Sequence, residues 1–512
     1  MFGAARNALH LSRLRLLPAL LPVVASQRPR HVSTASFDPT IRQFLVKLGE
    51  HQPCFSMHSS KVTIMHEPRI FYQNLLNMIR NAKHRLFLSS LYIGHEDVEL
   101  IETIRTSLQE HPTLHVYLHL DLNRSTRPGP DSTARILLPL LEQHPDRVHI
   151  NLFRSPMLKG MMARIVPPRF NEGWGTWHPK IYGADDSLLI SGANLNTTYF
   201  SNRQDRYLQF TDQPRLADYC FAFLQAASTF SYKLLPSPGI SGEYTLHWPD
   251  TSTHPHRIEA KAQQALLEFQ KVQRETSTVR PVTATEKASL DHEDDVMIFP
   301  IIQAGQFDIR EEERCVSLIF QHLAAQQKYT IPQRWLLLAS QTVSAAVMNS
   351  HIACRILAAS PKANGFYGSK GISGRIPEAY TLFERRFMAA VRQADLEWPA
   401  SSSSVFPGVQ LHEWERDGWT YHAKGIWVRP TPTEPPALTL FGSTNLNSRS
   451  AALDTELSFV LATTSPTLRQ RLADEVDHLR AHAHPWRGAQ DSDSRRVRPG
   501  TRALVAVVGD ML

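Results

Sequence analysis

The sequence predicts an α/β protein that uses one pattern twice, and three observations carry that expectation. Short apolar runs alternate with amphipathic stretches from about residue 60, the same texture resumes after a Pro- and Thr-rich interval, and each half carries a His-x-Lys strand followed by a small-residue and Asn turn. Strands separated by helices indicate an α/β domain with a mostly parallel sheet. In the first half Val62–Met65 reads as a strand, Phe71–Ala82 as a helix, Arg85–Ile93 as a strand and Val98–Gln109 as a helix. LHVYLHLD (Leu114–Asp121) is the next strand, Ser132–Gln143 a helix and VHINLF (Val148–Phe153) another strand, each assigned from the spacing of its apolar residues.

After Ser231 the texture changes. Pro236, Pro238, Pro249 and Pro255 fall in one stretch, followed by a polar helix near Ile258–Glu275 and a Thr-rich segment to Lys287, so 233–290 reads as a linker or insertion. The alternation then returns with VMIFPIIQ (Val296–Gln303), a helix over Arg310–Gln327, the strand WLLLAS from Trp335, a helix from Ser344 and the strand RILAAS (Arg355–Ser360). These changes place the halves at 38–232 and 291–485, with a C-terminal tail over 486–512. Its basic run Arg495, Arg496, Arg498 reads as a solvated tail.

The 512 residues carry a net charge of +7, but five Arg and no acidic residue lie within 1–37, leaving 50 basic against 48 acidic residues in the remainder. That near-balance argues against a nucleic-acid partner. Residues 1–37, with Arg6, Arg13 and Arg15 set among Leu and Ala, have the composition of a mitochondrial transit peptide; a secretory signal over Leu16–Ala25 is the competing reading. No later stretch approaches the roughly 20 apolar residues of a spanning helix, so a soluble or peripheral chain is expected. Cys54, Cys220, Cys315 and Cys354 are widely spaced and read as buried thiols, neither a disulfide framework nor a zinc site. His58, His66 and His95 form no metal-ligating spacing.

The duplication is sharpest in WHPKIYGADDSLLISGANLN (Trp177–Asn196) and in YHAKGIWVRP followed by LTLFGSTNLN (Leu438–Asn447). Residues i and i+2 of a strand share a face, so His178 stands beside Lys180 and His422 beside Lys424. Gly192 with Asn194, and Gly442 with Asn445, are placed to bring backbone and amide donors to a bound anion. Two His, two Lys and two Asn suit a phosphodiester or pyrophosphate, one His attacking phosphorus while the other protonates the leaving oxygen. Each imidazole needs its second nitrogen held, because that bond sets the tautomer. Eleven residues after each Asn stands a carboxylate, Asp205 and Glu456, and the equal spacing gives both the role of orienting a His. Asp185, five residues after Lys180, is a further candidate for structural support. A lone His-x-Lys on a strand is more often surface chemistry, and it is the pairing that reverses this.

HPKIYGAD with its downstream GAN resembles the phospholipase D superfamily signature HxKxxxxD with GSxN, and HAK with GSTN is similar in its His, Lys and Gly-Ser-x-Asn parts. The second copy departs at the Asp position, which is Arg429, and the first has Ala193 where Ser is usual. FLSSLYIG (Phe87–Gly94), the polar loop Asn123–Arg135 and the WHPK motif resemble the phosphatidylglycerophosphate synthases of mitochondria. The resemblance spans about 40–485. It implies two α/β halves with mixed sheets, packed about a pseudo-twofold axis with one shared site. It further implies catalytic roles for His178, Lys180, Asp185, His422 and Lys424, with Asn194 and Asn445 on phosphate. The implied reaction moves phosphatidyl from CDP-diacylglycerol to glycerol 3-phosphate at the inner mitochondrial membrane, through a phosphatidyl-histidine on His178, with His422 as acid and base. No cofactor and no metal follow from this chemistry, since Lys and Asn supply the positive and donor groups.

Several features lie outside the motif. Arg203 and Arg206 flank Asp205 and are candidates for the acceptor phosphate, against a structural salt bridge. MLKGMMARIVPPR (Met157–Arg169) mixes Met, Ile and Val with basic residues and reads as a core-capping loop or as a membrane contact. Asn123–Arg135 lacks GxxxxGK[ST], which excludes a nucleotide P-loop. The same two motifs would serve a hydrolytic phospholipase D, a phosphatidylserine or cardiolipin synthase, or a tyrosyl-DNA phosphodiesterase-like enzyme. A non-catalytic binding protein is disfavoured because both His and both Lys are present.

Overall fold

A computed structural model describes residues 30–240, 242–277, 279–282, 294–324, 335–338, 352–398, 408–488 and 495–508. Seven strands of the first half run in the order Val148–Phe153, His115–Asp121, Arg85–Ser89, Ile181–Ala184, Ser187–Ser191, Tyr207–Phe210, Val62–Met65. Seven strands of the second repeat this order one for one: Gly408–Trp414, Ala353–Ala359, Trp335–Leu338, Ile426–Arg429, Leu438–Gly442, Glu456–Thr463, Val296–Ala304. In each series the first three strands are parallel and the rest antiparallel. The sheets are therefore mixed, and less parallel than the strand–helix alternation indicates. Each His-x-Lys immediately precedes a strand, Ile181–Ala184 or Ile426–Arg429, that turns back directly into its antiparallel neighbour Ser187–Ser191 or Leu438–Gly442.

The two sheets face each other across a shared core. Along Glu456–Thr463, Leu457, Phe459 and Leu461 enter that central cluster, while Val460 and Ala462 face the outer core of the second half. Leu188 and Ile190 likewise point inward and Leu189 outward. This period-2 division makes one face of each sheet the interface and leaves the other for the helices. Phe210 of the first half stacks on Phe441 of the second with ring centroids 6.2 Å apart. All four cysteines are buried and free.

The C-terminal run read as a solvated tail is instead tied to the second half, Arg495 pairing with the buried Glu413 and Arg498 with Glu378. Two boundaries drawn from composition also differ from the packing. Residues 233–290, read as a linker or insertion, include the hairpin Tyr232–Pro236 and Tyr244–His247, which extends the first sheet. They also include the helix Glu259–Thr276, whose Leu266 and Phe269 enter the central cluster. The start of the first half belongs physically to the second. Helix Pro39–Gly49 presents Ile41, Phe44, Leu45 and Leu48 at helical spacing to the second half's outer core, and Phe55–Met57 pairs with Val296–Ile298. Within the expected transit segment, 1–29 lie outside the described residues. Arg30–Ser33 pairs in parallel with Val279–Val282, so ordered pairing begins ahead of residue 37. The helix expected from Ser344 falls outside the described residues. No helix among the described residues is long and apolar enough to cross a membrane.

Candidate active site

His178 is carried into the interface by the residue before it. The Trp177 indole is fully buried, donates through Nε1 to Ser89 Oγ (2.9 Å) and stacks on Phe223, while its backbone N–H donates to Asp121 Oδ2 (3.0 Å). Trp177 then bridges in parallel to Thr455, and the His178 N–H donates to the Thr455 carbonyl at 2.9 Å. The second half repeats this arrangement. Tyr421 pairs in parallel with Gln204, and the His422 N–H donates to the Gln204 carbonyl at 2.8 Å. Each His therefore follows a strand residue paired with the residue just before the other half's carboxylate.

This register crosses the carboxylates between halves. Glu456 Oε1 lies 2.8 Å from His178 Nδ1, and Asp205 Oδ2 lies 2.6 Å from His422 Nδ1. An ionised carboxylate only accepts, so each Nδ1 carries the proton and each Nε2 is left as a lone pair. Ser450 donates to Glu456 Oε1 (2.6 Å) and Ser443 to Oε2. On the other side Ala193 stands where Ser443 does and supplies no hydroxyl, and Gly192 before it lies against the carboxylate. A Cβ there would stand 2.5 Å from Asp205 Oδ1, so the glycine makes the room that the carboxylate occupies. Gly425, at φ +152°, similarly clears Arg206 Nη1 immediately after Lys424.

The lysines close the site. Lys180 Nζ donates to the His178 carbonyl (2.6 Å); Lys424 Nζ donates to the His422 carbonyl (2.8 Å) and stands 3.1 Å from His422 Nε2. Burial opposes the charge of Glu456, yet His178, Lys180 and the Ser443 hydroxyl hold it well below the usual carboxylate range. Burial likewise opposes Asp205, and Lys424 and His422 bring it below its ordinary value. Burial lowers His178, and burial with the Lys424 ammonium takes His422 down to about 3. Near neutral pH the site thus holds two neutral imidazoles oriented by two anions. Desolvation brings Lys180 to about 7 and Lys424 to about 8, poised to regain full charge when an anion enters.

The remaining sequence candidates divide. Asn194 is buried; its Nδ2 donates to Tyr199 Oη (3.0 Å), and the Tyr199 ring meets His422 edge-on at 5.1 Å. Tyr199 was not singled out in the sequence, where an aromatic after Asn-Leu-Asn carries no distinguishing pattern. Asn445 follows Thr444 at the matching turn and is half-buried. Arg203 lies over the Tyr199 ring at 4.2 Å and donates through Nε to Thr420 Oγ1. Arg206 takes the structural salt bridge of the two readings, not the acceptor phosphate. It is buried against Glu475 (Nη2–Oε2, 2.8 Å), donates to Leu440 O and Thr439 Oγ1, and lies 3.9 Å from the Trp427 ring centre, so its charge is spent joining the halves.

Asp185 makes the bonds of the structural-support reading, not of the catalytic role that the resemblance implies. At φ 48° it turns its carboxylate to the backbone N–H groups of Lys83, His84 and Arg85 (2.9 to 3.0 Å), tying down the entry to the strand Arg85–Ser89. Its counterpart Arg429 donates to the Glu434 carbonyl. Asp185→Ala is expected to lower unfolding free energy by about 1–3 kcal/mol, measured in urea, because buried or half-buried N–H donors lose their acceptor. Activity per folded molecule is expected to stay within about threefold of wild type, and a loss comparable to that from removing a His would return Asp185 to the chemistry.

No protein-family model matches the chain. The CDP-diacylglycerol–glycerol-3-phosphate 3-phosphatidyltransferase of Schizosaccharomyces pombe is 32% identical over 86% of this chain and 92% of its own length. The mitochondrial protein of the same name from Homo sapiens is 32% identical over 83% of this chain and 78% of its own. The Saccharomyces cerevisiae protein is 29% identical, with 98% of each chain covered. Among solved structures, a phosphatidylserine synthase of Haemophilus influenzae superposes with a TM-score of 0.64 at 18% identity, covering 93% of this chain and 98% of that one, which shows a phospholipase D-like fold.

Proposed function

The chain belongs to the family of CDP-diacylglycerol–glycerol-3-phosphate 3-phosphatidyltransferases, and we propose that it performs their reaction at the crossed pairs His178–Glu456 and His422–Asp205. It transfers phosphatidyl from CDP-diacylglycerol to sn-glycerol 3-phosphate, giving phosphatidylglycerophosphate and CMP. His178 Nε2 attacks the lipid-proximal phosphorus; a P–N bond forms and the P–O bond to CMP breaks, while His422, neutral in the empty site, takes a proton from solvent at Nε2 as the negative charge of the bound diphosphate favours the imidazolium, and gives that proton to the departing oxygen. His422, again neutral, removes the proton of the acceptor hydroxyl as that oxygen attacks phosphorus, and the P–N bond breaks to free His178. Lys180, Lys424, Asn194 and Asn445 stabilise the charge on the phosphoryl oxygens.

The observation that carries the division of labour is exposure. The His178 side chain is 11% accessible and that of His422 is 25%, so the deeper ring suits the covalent step and the more open one suits proton exchange with leaving group and acceptor. Arg203, beside Tyr199 and His422, supports a place for the acceptor phosphate. The presequence composition and the mitochondrial names of the vertebrate relatives support action at the mitochondrial inner membrane, with the protein bound peripherally.

Purified protein given CDP-diacylglycerol in detergent micelles is expected to release CMP and form phosphatidylglycerophosphate only when glycerol 3-phosphate is added. Phosphatidic acid formed regardless of acceptor would make it a hydrolase. The same assay checks a pH effect. Lys180 and Lys424 lose charge as pH rises through about 7 and about 8, and the diphosphate substrate needs that charge. kcat/KM is therefore expected to fall on the alkaline side, approaching about tenfold per pH unit for each lost proton. A flat profile from neutral to pH 9 would show that the lysines do not bind substrate through their charge.

A further inference from the structure

The loops on either side of the site share a composition that the chemistry of the two His does not use. Met157–Phe170 of the first half exposes Met161 (74%) and Ile165 (62%), with Met157, Met162 and Phe170 also open to solvent. It contains Lys159, Arg164 and Arg169 and no acidic residue. Residues 360–375 of the second half expose Phe366 (45%), Tyr367 (51%) and Ile372 (55%), and contain Lys362, Lys370 and Arg375, again with no acidic residue. An exposed cluster of large apolar residues is costly in water and marks a surface that is covered in use.

Both loops are anchored to the His-bearing segments. The base of the first is closed where Ser155 Oγ donates to the Trp174 carbonyl (2.8 Å), and the chain then runs directly through Gly175 and Thr176 to His178. The second begins where the Tyr421 N–H, one residue before His422, donates to the Ala363 carbonyl (2.9 Å). A Cβ on Gly365 would stand 3.4 Å from Arg203 Nη2. The base of one loop therefore adjoins each His-bearing segment.

We propose that 157–170 and 366–372 together form the rim by which the protein lies on an anionic phospholipid surface, apolar residues among the acyl chains and basic residues among the headgroups. This rests on the transferase reading, in that a diacylglycerol nucleotide resides in a bilayer, and no helix among the described residues is long and apolar enough to cross one. Charge complementarity selects an anionic lipid surface as the occupant, and two loops from two halves make the contact bivalent, so each is needed for tight binding.

The test uses the full chain and vesicles of phosphatidylcholine with and without phosphatidylglycerol. Wild type is expected to sediment with the anionic vesicles, and Met161→Ser with Ile165→Ser, or Phe366→Ser with Ile372→Ser, to weaken that binding at least about tenfold. Arg164→Glu with Lys370→Glu, which leaves the apolar residues intact, is expected to remove the preference for anionic vesicles. All three double variants should keep wild-type turnover on substrate dispersed in detergent micelles, which shows that they are folded. Binding unchanged in either apolar pair overturns the proposal, as does a lipid-free dimer that these substitutions convert to monomer. Absence of turnover by wild type in micelles, with vesicle binding intact and rim-dependent, would instead sink the transferase reading and leave the lipid-binding rim standing.

Discussion

Wild-type protein supplied with CDP-diacylglycerol labelled at its lipid-proximal phosphorus, without acceptor, and denatured in SDS at neutral pH is expected to carry the label as an acid-labile, base-stable adduct. His178→Ala is expected to carry none and to lose at least about 10⁴-fold in kcat, since the ring assigned to the covalent step is then missing. His422→Ala is expected to behave differently. CMP departs as a phosphate and needs little protonation, so the adduct still forms in a single turnover. Its transfer to an alcohol, whose proton must be removed, slows by about 10²–10⁴-fold. The asymmetry rests on geometry, because both rings have a carboxylate at Nδ1, but the His422 ring is the more exposed and has the Lys424 ammonium against it, 3.1 Å from Nε2, whereas Lys180 bonds only the His178 carbonyl. An adduct in His178→Ala that is missing in His422→Ala would exchange the two roles. No adduct in wild type would indicate a direct displacement of CMP by the acceptor.

Glu475→Ala is expected to cost about 3–5 kcal/mol of unfolding free energy in urea. The substitution strands the Arg206 guanidinium, buried with 2% side-chain exposure, and also removes the acceptor of Trp427 Nε1 at 2.8 Å. Replacing both partners, Arg206→Met with Glu475→Leu, is expected to recover most of that loss, because no unpaired charge then remains in the interface. Arg206 adjoins Asp205 in sequence and bonds the carbonyl of Leu440, so the same clamp sets the distance across which Asp205 reaches His422. Turnover of Glu475→Ala is accordingly expected to fall beyond its folded fraction. A loss under about 1 kcal/mol would show that water reaches the guanidinium.

The repeated pattern was legible in the sequence because it is local. A strand places i and i+2 on one face, so His178 with Lys180 and His422 with Lys424 declare a paired chemistry, and the strand positions from Val62 to Phe153 follow from apolar spacing alone. The carboxylates at Asp205 and Glu456 were legible as a matched pair for the same reason. What only the tertiary structure decided is which His each one serves. The equal spacing of eleven residues describes each half by itself, whereas the bonds His178–Glu456 and His422–Asp205 arise from parallel pairing between halves, and no spacing within one half encodes them. Asp185, Arg206 and the helix Pro39–Gly49 follow the same rule. Each is a polar or apolar group whose partner lies about 100 residues or more away, and its role is set by the group with which burial brings it into contact.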